Sequence, residues 1–240
     1  MASIQETDLI LNKDGSVYHL NLLPEHISET IIAVGDPNRV NLVSQYFDDV
    51  VFEMNKREFI THVGFYKQQK ITVISSGIGT DNVEILLTEL DALANIDLKS
   101  RERKTRQKKL KIIRIGTSGS LQEDIPLGSH LVSEFGVGFD NLMSFYDLPS
   151  TDLEMEIGKD LQKRLDLPFL PYIVRGSDLL KEQFGFDMIS GNTVTCPGFY
   201  APQGRILRTS IRFPKLVESL NSYHYPKANF WLTNFEMETA

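Results

Sequence analysis

The chain has 240 residues, 41% hydrophobic and 24% charged, with a net charge of −7 and a pI near 5.3. This is a globular composition with enough apolar residues for one large core or two modest ones. The acidic balance argues against a nucleic-acid partner, and the lack of any apolar run of about 18 residues excludes a transmembrane helix.

In chain order, the N-terminus MASIQETDLI has no basic stretch and no long apolar run, so it does not read as a signal peptide. Residues 31–34 form an apolar run that ends in Gly35-Asp36-Pro37, the pattern of a buried strand. Pro37 then opens a helix in which Val40, Val43 and Phe47 share one face. Strands are predicted over 49–53, 59–66 and 70–76, the last two joined as a hairpin through Lys67-Gln68-Gln69-Lys70. SGIGTDN follows as a glycine turn with Asp81 as a helix cap, and Val83, Leu86, Leu87, Leu90 and Leu93 repeat at helical spacing. Residues 99–111 (KSRERKTRQKKLK) are densely basic and read as a solvated loop or helix extension. KIIRI and 129–138 are predicted strands, 153–165 a helix, and PFLPYIVRGS and NTVTC further strands. The stretches 214–223 and 229–240 read as helical. Strands and helices alternate throughout, which implies an α/β architecture. With no internal repeat and no Ser/Gly linker, one domain over 1–240 is the simplest organisation.

Three strands end alike, in GDPNR, SSGIGTD and RIGTSGS. Such glycine turns either reverse the chain or cradle an anion with successive backbone N–H groups. In open α/β sheets, ligands sit beyond the carboxyl ends of the strands. Arg39 and Arg114 stand at two of these turns, and guanidinium grips phosphate with two parallel hydrogen bonds. None of the turns has P-loop or G-x-G-x-x-G spacing. The single cysteine, Cys196, cannot form an intrachain disulfide, which suits a reducing, cytoplasmic location; it is expected to be buried and inert. His26, His62, His130 and His224 share no metal-ligand spacing, and no metal site is predicted.

Taken in order, these segments resemble the nucleoside phosphorylase family, and within it the uridine phosphorylases. GDPNR (35–39) is similar to that family's first phosphate-binding turn, KREF (56–59) to the segment whose arginine enters a neighbouring subunit's phosphate site, and SSGIGTDN (75–82) to its strand-end glycine turn. RIGTSGS (114–120), FYAPQGR (199–205) and NFEMETA (234–240) resemble the phosphate-and-ribose, uracil and ribose segments. The resemblance implies a single-domain α/β fold with a central mixed β-sheet flanked by helices. It implies phosphorolysis of uridine to uracil and ribose 1-phosphate, in nucleoside salvage.

The resemblance also assigns roles. Gly35, Arg39, Arg114 and Thr117 would hold phosphate, with Arg57 supplied by a partner subunit. His19, Glu236, Met237 and Glu238 would hold the ribose, with His19 reaching the 5′ hydroxyl across a dimer interface. Phe199, Gln203 and Arg205 would hold the base, Arg205 also stabilising the departing uracil. Arg39, Arg114, Thr117 and Arg205 would thus form the catalytic set. No cofactor is implied, inorganic phosphate being the co-substrate. Glu58 is the position at which some family members hold a monovalent cation between subunits. A homo-oligomer, dimer or hexamer, is implied, with small-molecule nucleoside and phosphate as partners.

Two departures qualify the expectation: the basic segment 99–111 exceeds the family's usual connection, and the chain ends where the family usually adds a strand and a terminal helix. The base segment reads APQGR where the family often has PGQER. Alternatives are a purine nucleoside phosphorylase or a nucleosidase of the same fold, or an inactive chain that binds nucleoside or oligomerises.

Overall fold

The structure is a computed structural model that describes residues 3–240. The chain divides into two compact units, one ending at Gly116 and one spanning Thr117–Ala240. Each has its own five-stranded sheet and its own core. Among the described residues no helix is long and apolar enough to cross a membrane.

In the first unit the elements are β1 (Thr30–Val34), α1 (Asn38–Ser44), β2 (Asp49–Lys56), β3 (Phe59–Tyr66), β4 (Gln69–Ser75), α2 (Thr80–Asn95), β5 (Ile96–Asp97), β6 (Glu102–Arg103) and β7 (Lys111–Ile115). The sheet order is β2-β3-β4-β1-β7. β1 lies between β4 and β7 and runs parallel to both, while β2 and β3 extend the sheet as an antiparallel meander. The two-residue period of β1 explains its position. Ile31 and Ala33 turn to a core built with Leu86, Leu90 and Leu93 of α2, and Val34 turns to a smaller cluster with Val40 of α1. Each of those leucines contributes about 1.5–3 kcal/mol by leaving water. The helical stripe differs from the predicted one at one position. Leu87 is exposed, and Glu89 is the residue that points inward. Gly79, at φ +98, stands at the N-cap of α2, and Asp81 lies within its first turn. The basic segment is no helix extension: β5 and β6 pair as a small hairpin, and an irregular stretch leads to β7.

The second unit comprises β8 (Gly119–Ser120), β9 (Leu131–Gly138), α3 (Asp152–Leu165), β10 (Tyr172–Arg175), α4 (Asp178–Phe184), β11 (Ile189–Thr195), α5 (Leu216–Asn221), β12 (His224–Tyr225), β13 (Phe230–Trp231) and β14 (Asn234–Glu236). Its sheet runs β10-β9-β11-β14-β8, with β11 parallel to both β9 and β14. α3 begins with a reciprocal capping box between Thr151 and Glu154, and Ile157, Leu161 and Leu165 line its buried face. The expectation of a helix over 229–240 is corrected here. That stretch holds strands β13 and β14. β14 sits between β11 and β8 with all three residues buried, so it shows none of the alternation that marks a half-exposed strand.

Candidate active site

β4, β1 and β7 run parallel and in register, with Val34 beside both Ser75 and Ile115. Their glycine turns therefore emerge side by side at the carboxyl edge of the first unit's sheet. A methyl built on Gly35 would touch Arg114 Nη2 and the Gly77 carbonyl oxygen, each at 3.6 Å. One built on Gly116 would run into the Arg114 guanidinium. Both glycines thus border the arginine head, and the absent side chain at Gly116 is what lets it come this close to the backbone. Arg39 stands on the first turn of α1, its N–H donating to the Asp36 carbonyl at 3.0 Å. The Asp36 carboxylate accepts from the Asn38 N–H at 2.9 Å and so occupies one of the helix's unpaired donors.

Arg57 and Glu58 form the tight turn between β2 and β3. The Ser75 hydroxyl pins that turn to the end of β4, donating to the Glu58 carbonyl and accepting from the Ile60 N–H. Glu58 thereby packs over Gly77, whose φ is +73. Arg57, itself at φ +54, holds its guanidinium 5.7 Å from the Tyr18 ring centre. His19 lies beside Tyr18 and places Nδ1 2.7 Å from Glu89 Oε1. The buried Glu89 carboxylate also accepts from the backbone N–H groups of His19 and Leu20. A carboxylate only accepts, so the His19 proton sits on Nδ1 and Nε2 is left as the other working atom. Glu89 was not among the predicted site residues. The signal was present: it is a charged side chain on the apolar stripe of an amphipathic helix.

In the second unit, Ala201–Gln203 make one turn of 3-10 helix and Gly204, at φ +70, sends the chain back. The Arg205 guanidinium then donates to the Phe199 carbonyl at 2.6 Å and to Gln203 Oε1. It lies 3.9 Å from the Phe199 ring centre. Phe199, Gln203 and Arg205 are thus brought together, with Gln203 buried and the Phe199 ring exposed. Glu236, Met237 and Glu238 leave β14 in a turn. The buried Glu236 carboxylate accepts from the Thr195 hydroxyl at 2.7 Å, the Glu238 N–H at 2.7 Å and the Thr239 N–H at 3.0 Å. Its bonding is directed inward, while Met237 and Glu238 are half-buried. Thr117 and Ser118 lie at the start of the unit, and Ser118 Oγ accepts from Asn234 Nδ2 at 2.9 Å. Cys196 is fully buried and its thiol is pushed up to about 12, by burial first and then by Glu236, so it holds its proton and is no nucleophile.

The sequence pattern of the Phosphorylase superfamily matches residues 29–240. The chain belongs to the phosphorylase superfamily. Within that superfamily it is 27% identical, over 232 residues, to the uridine phosphorylase of Thermococcus kodakarensis, covering 95% of this chain and 71% of that protein. It is 31% identical over 119 residues to a DeoD-type purine nucleoside phosphorylase of Buchnera aphidicola, covering 49% of this chain and 45% of that one. Among solved structures, a Trypanosoma brucei nucleoside phosphorylase that shows uridine phosphorylase activity matches with a TM-score of 0.88 and 29% identity, over 97% of this chain and 84% of that chain. The mixed sheets flanked by helices are the fold the superfamily resemblance implied.

Proposed function

We propose that the protein cleaves a pyrimidine nucleoside by phosphorolysis, converting uridine and phosphate to uracil and ribose 1-phosphate. The observation that carries this reading is the Arg114 guanidinium bordered by Gly35 and Gly116 at the carboxyl edge of three parallel strands. A fixed cation amid open backbone is suited to a phosphate dianion. Similarity to uridine phosphorylases over nearly the whole chain supports the substrate. Gly35, Arg39 and Arg114, with Thr117, hold phosphate. A phosphate oxygen forms the new bond to C1′ as the C1′–N1 bond breaks. The bonding pair leaves with N1 and spreads over the uracil carbonyls.

Arg205 offsets that charge, so no separate general acid is required. With its oxygen turned to Arg205, the Gln203 amide presents its N–H groups to a base carbonyl, and Phe199 gives the base an aromatic face. Glu238 accepts from the ribose 2′ and 3′ hydroxyls, which offer two donors to an acceptor-only group. Glu236 positions that turn, and Met237 packs under the sugar. His19 and Arg57 serve the site of a second copy, which makes the enzyme at least a dimer. Residues 1–240 act as one nucleoside phosphorylase-like domain in the cytoplasm.

Phosphorus NMR of the protein with uridine and phosphate tests the reaction. Ribose 1-phosphate forming in step with uracil is the expected result. Uracil with free ribose would make it a nucleosidase, and faster cleavage of inosine than uridine would move it to purines.

A further inference from the structure

The basic segment of the chain is largely exposed, but it is held in a defined place. It closes one side of a cleft at the amino edge of the first unit's sheet, the end opposite the glycine turns. This cleft has a volume of about 520 Å³ and is lined by Lys70 of β4, Lys111 of β7, and Lys104 and Lys108 of the stretch between β6 and β7. A neighbouring cleft of about 450 Å³ shares Lys108 and adds Arg106 and Lys109. Glu29 is the only acid lining either cleft among the described residues. In a chain of net charge −7 this is a concentrated reversal of sign.

The backbone that presents these lysines is fixed. The largely buried Asn95 at the end of α2 bonds Lys108 twice, accepting from its N–H at 2.7 Å and donating to its carbonyl at 3.2 Å. The Lys111 N–H donates to the Glu29 carbonyl at 2.8 Å. Lys104 donates to the Leu93 and Ala94 carbonyls at the end of α2, and Lys70 to the Glu25 and Ile27 carbonyls. An ammonium has three protons, so carbonyl bonding leaves its charge in place. Lys108 and Lys111 form no ion pair among the described residues. The cleft also has an apolar wall of the partly exposed Pro24, Ile27 and Leu110.

We propose that this cleft is a nucleotide-binding site, with the base against the apolar wall and the phosphate chain among Lys70, Lys104, Lys108 and Lys111. Its size falls in the range of small-molecule sites, roughly 300–1,000 Å³. Lysine ammonium groups are point charges that can line a phosphate chain, without the planar match that arginine offers a carboxylate. The site lies roughly 15 Å from the phosphate turns along the strands, so one ligand does not occupy both through the sheet. The acidic remainder of the chain disfavours a nucleic-acid polymer, whose charge extends beyond the screening distance of about 8 Å.

UTP is the probe, titrated by calorimetry in about 0.15 M salt. Exchanging both exposed residues, Lys108→Ala with Lys111→Ala, is expected to weaken UTP at least about tenfold and to leave uridine turnover unchanged. Hydrogen exchange of the wild-type protein with UTP is expected to show protection over 24–30 and 104–111. Protection confined to 35–39, 76–82 and 114–118 would overturn the proposal by placing UTP at the opposite edge. No UTP binding, affinity unchanged in the double variant, or far tighter binding of a single-stranded oligonucleotide through the same lysines would also overturn it.

Discussion

Gly35 and Gly77 border the same space but are glycine for different reasons, and substitution separates them. A methyl on Gly35 meets only ordinary contacts at 3.6 Å, and its φ is not positive. Gly35→Ala should keep its melting temperature yet raise the KM for phosphate roughly tenfold or more, because the methyl stands where the anion approaches backbone. Gly77 has φ +73 and would bring a methyl within 2.9 Å of Glu58 Cγ and Asn82 Nδ2. Gly77→Ala should cost about 1 kcal/mol or more in urea unfolding. Glu236→Gln replaces an acceptor with a donor facing either the Glu238 N–H or the Thr195–Thr239 pair. It should lower stability by about 1–3 kcal/mol and raise the KM for uridine; unchanged values of both would refute the positioning role. The acidic pair around Met237 was visible in the sequence, but not that Glu236 turns inward. Alternation along a strand separates faces only once the strand is recognised. Glu89 was missed for a related reason: its partner His19 is 70 residues away, and sequence spacing carries no information about it.

Elements with one buried face were legible: β2 alternates, and α2 and α3 carry apolar residues at 3.6 spacing. β3, β4 and β9 hold runs of consecutive buried residues and are marked instead as apolar segments bounded by turn residues, the hairpin between β3 and β4 turning at Lys67-Gln68. Both turn residues are left-handed, at φ +47 and +67, the conformation in which Asn-Gly is preferred and Lys-Gln is strained. Lys67→Asn with Gln68→Gly should therefore stabilise the protein by about 1 kcal/mol, or roughly 2–4 °C by calorimetry. A lower melting temperature would show that these side chains hold the turn in another way. Gly64 also belongs to this meander. It sits opposite a register shift in β2, where the Asp49 backbone and the Phe47 ring come too close for any side chain. β13 and β14 were illegible because strands of two and three residues are too short to show a period, and the acids after Phe235 imitate a helix's first turn. α4 was hidden behind the strand reading of 168–177. Its N-cap Ser177 is followed by Asp178, and that pair was the available signal.

At the scale of the whole molecule, each unit is a sheet whose central strands are parallel, and such sheets offer their carboxyl ends to ligands. Six separated segments in the sequence pointed to one chemistry. In the first unit the fold collects Gly35, Arg39, Gly77 and Arg114 along one edge, and in the second it collects Phe199, Gln203 and Arg205 around one turn. Under the proposed function, arginines placed in this way serve a reaction that consumes phosphate, and hydrolysis would have little use for them. The most direct test is uracil release from uridine, followed with and without inorganic phosphate in otherwise phosphate-free buffer. The account predicts release that requires phosphate and saturates with it. Release at the same rate without phosphate, or no release in its presence, would contradict it.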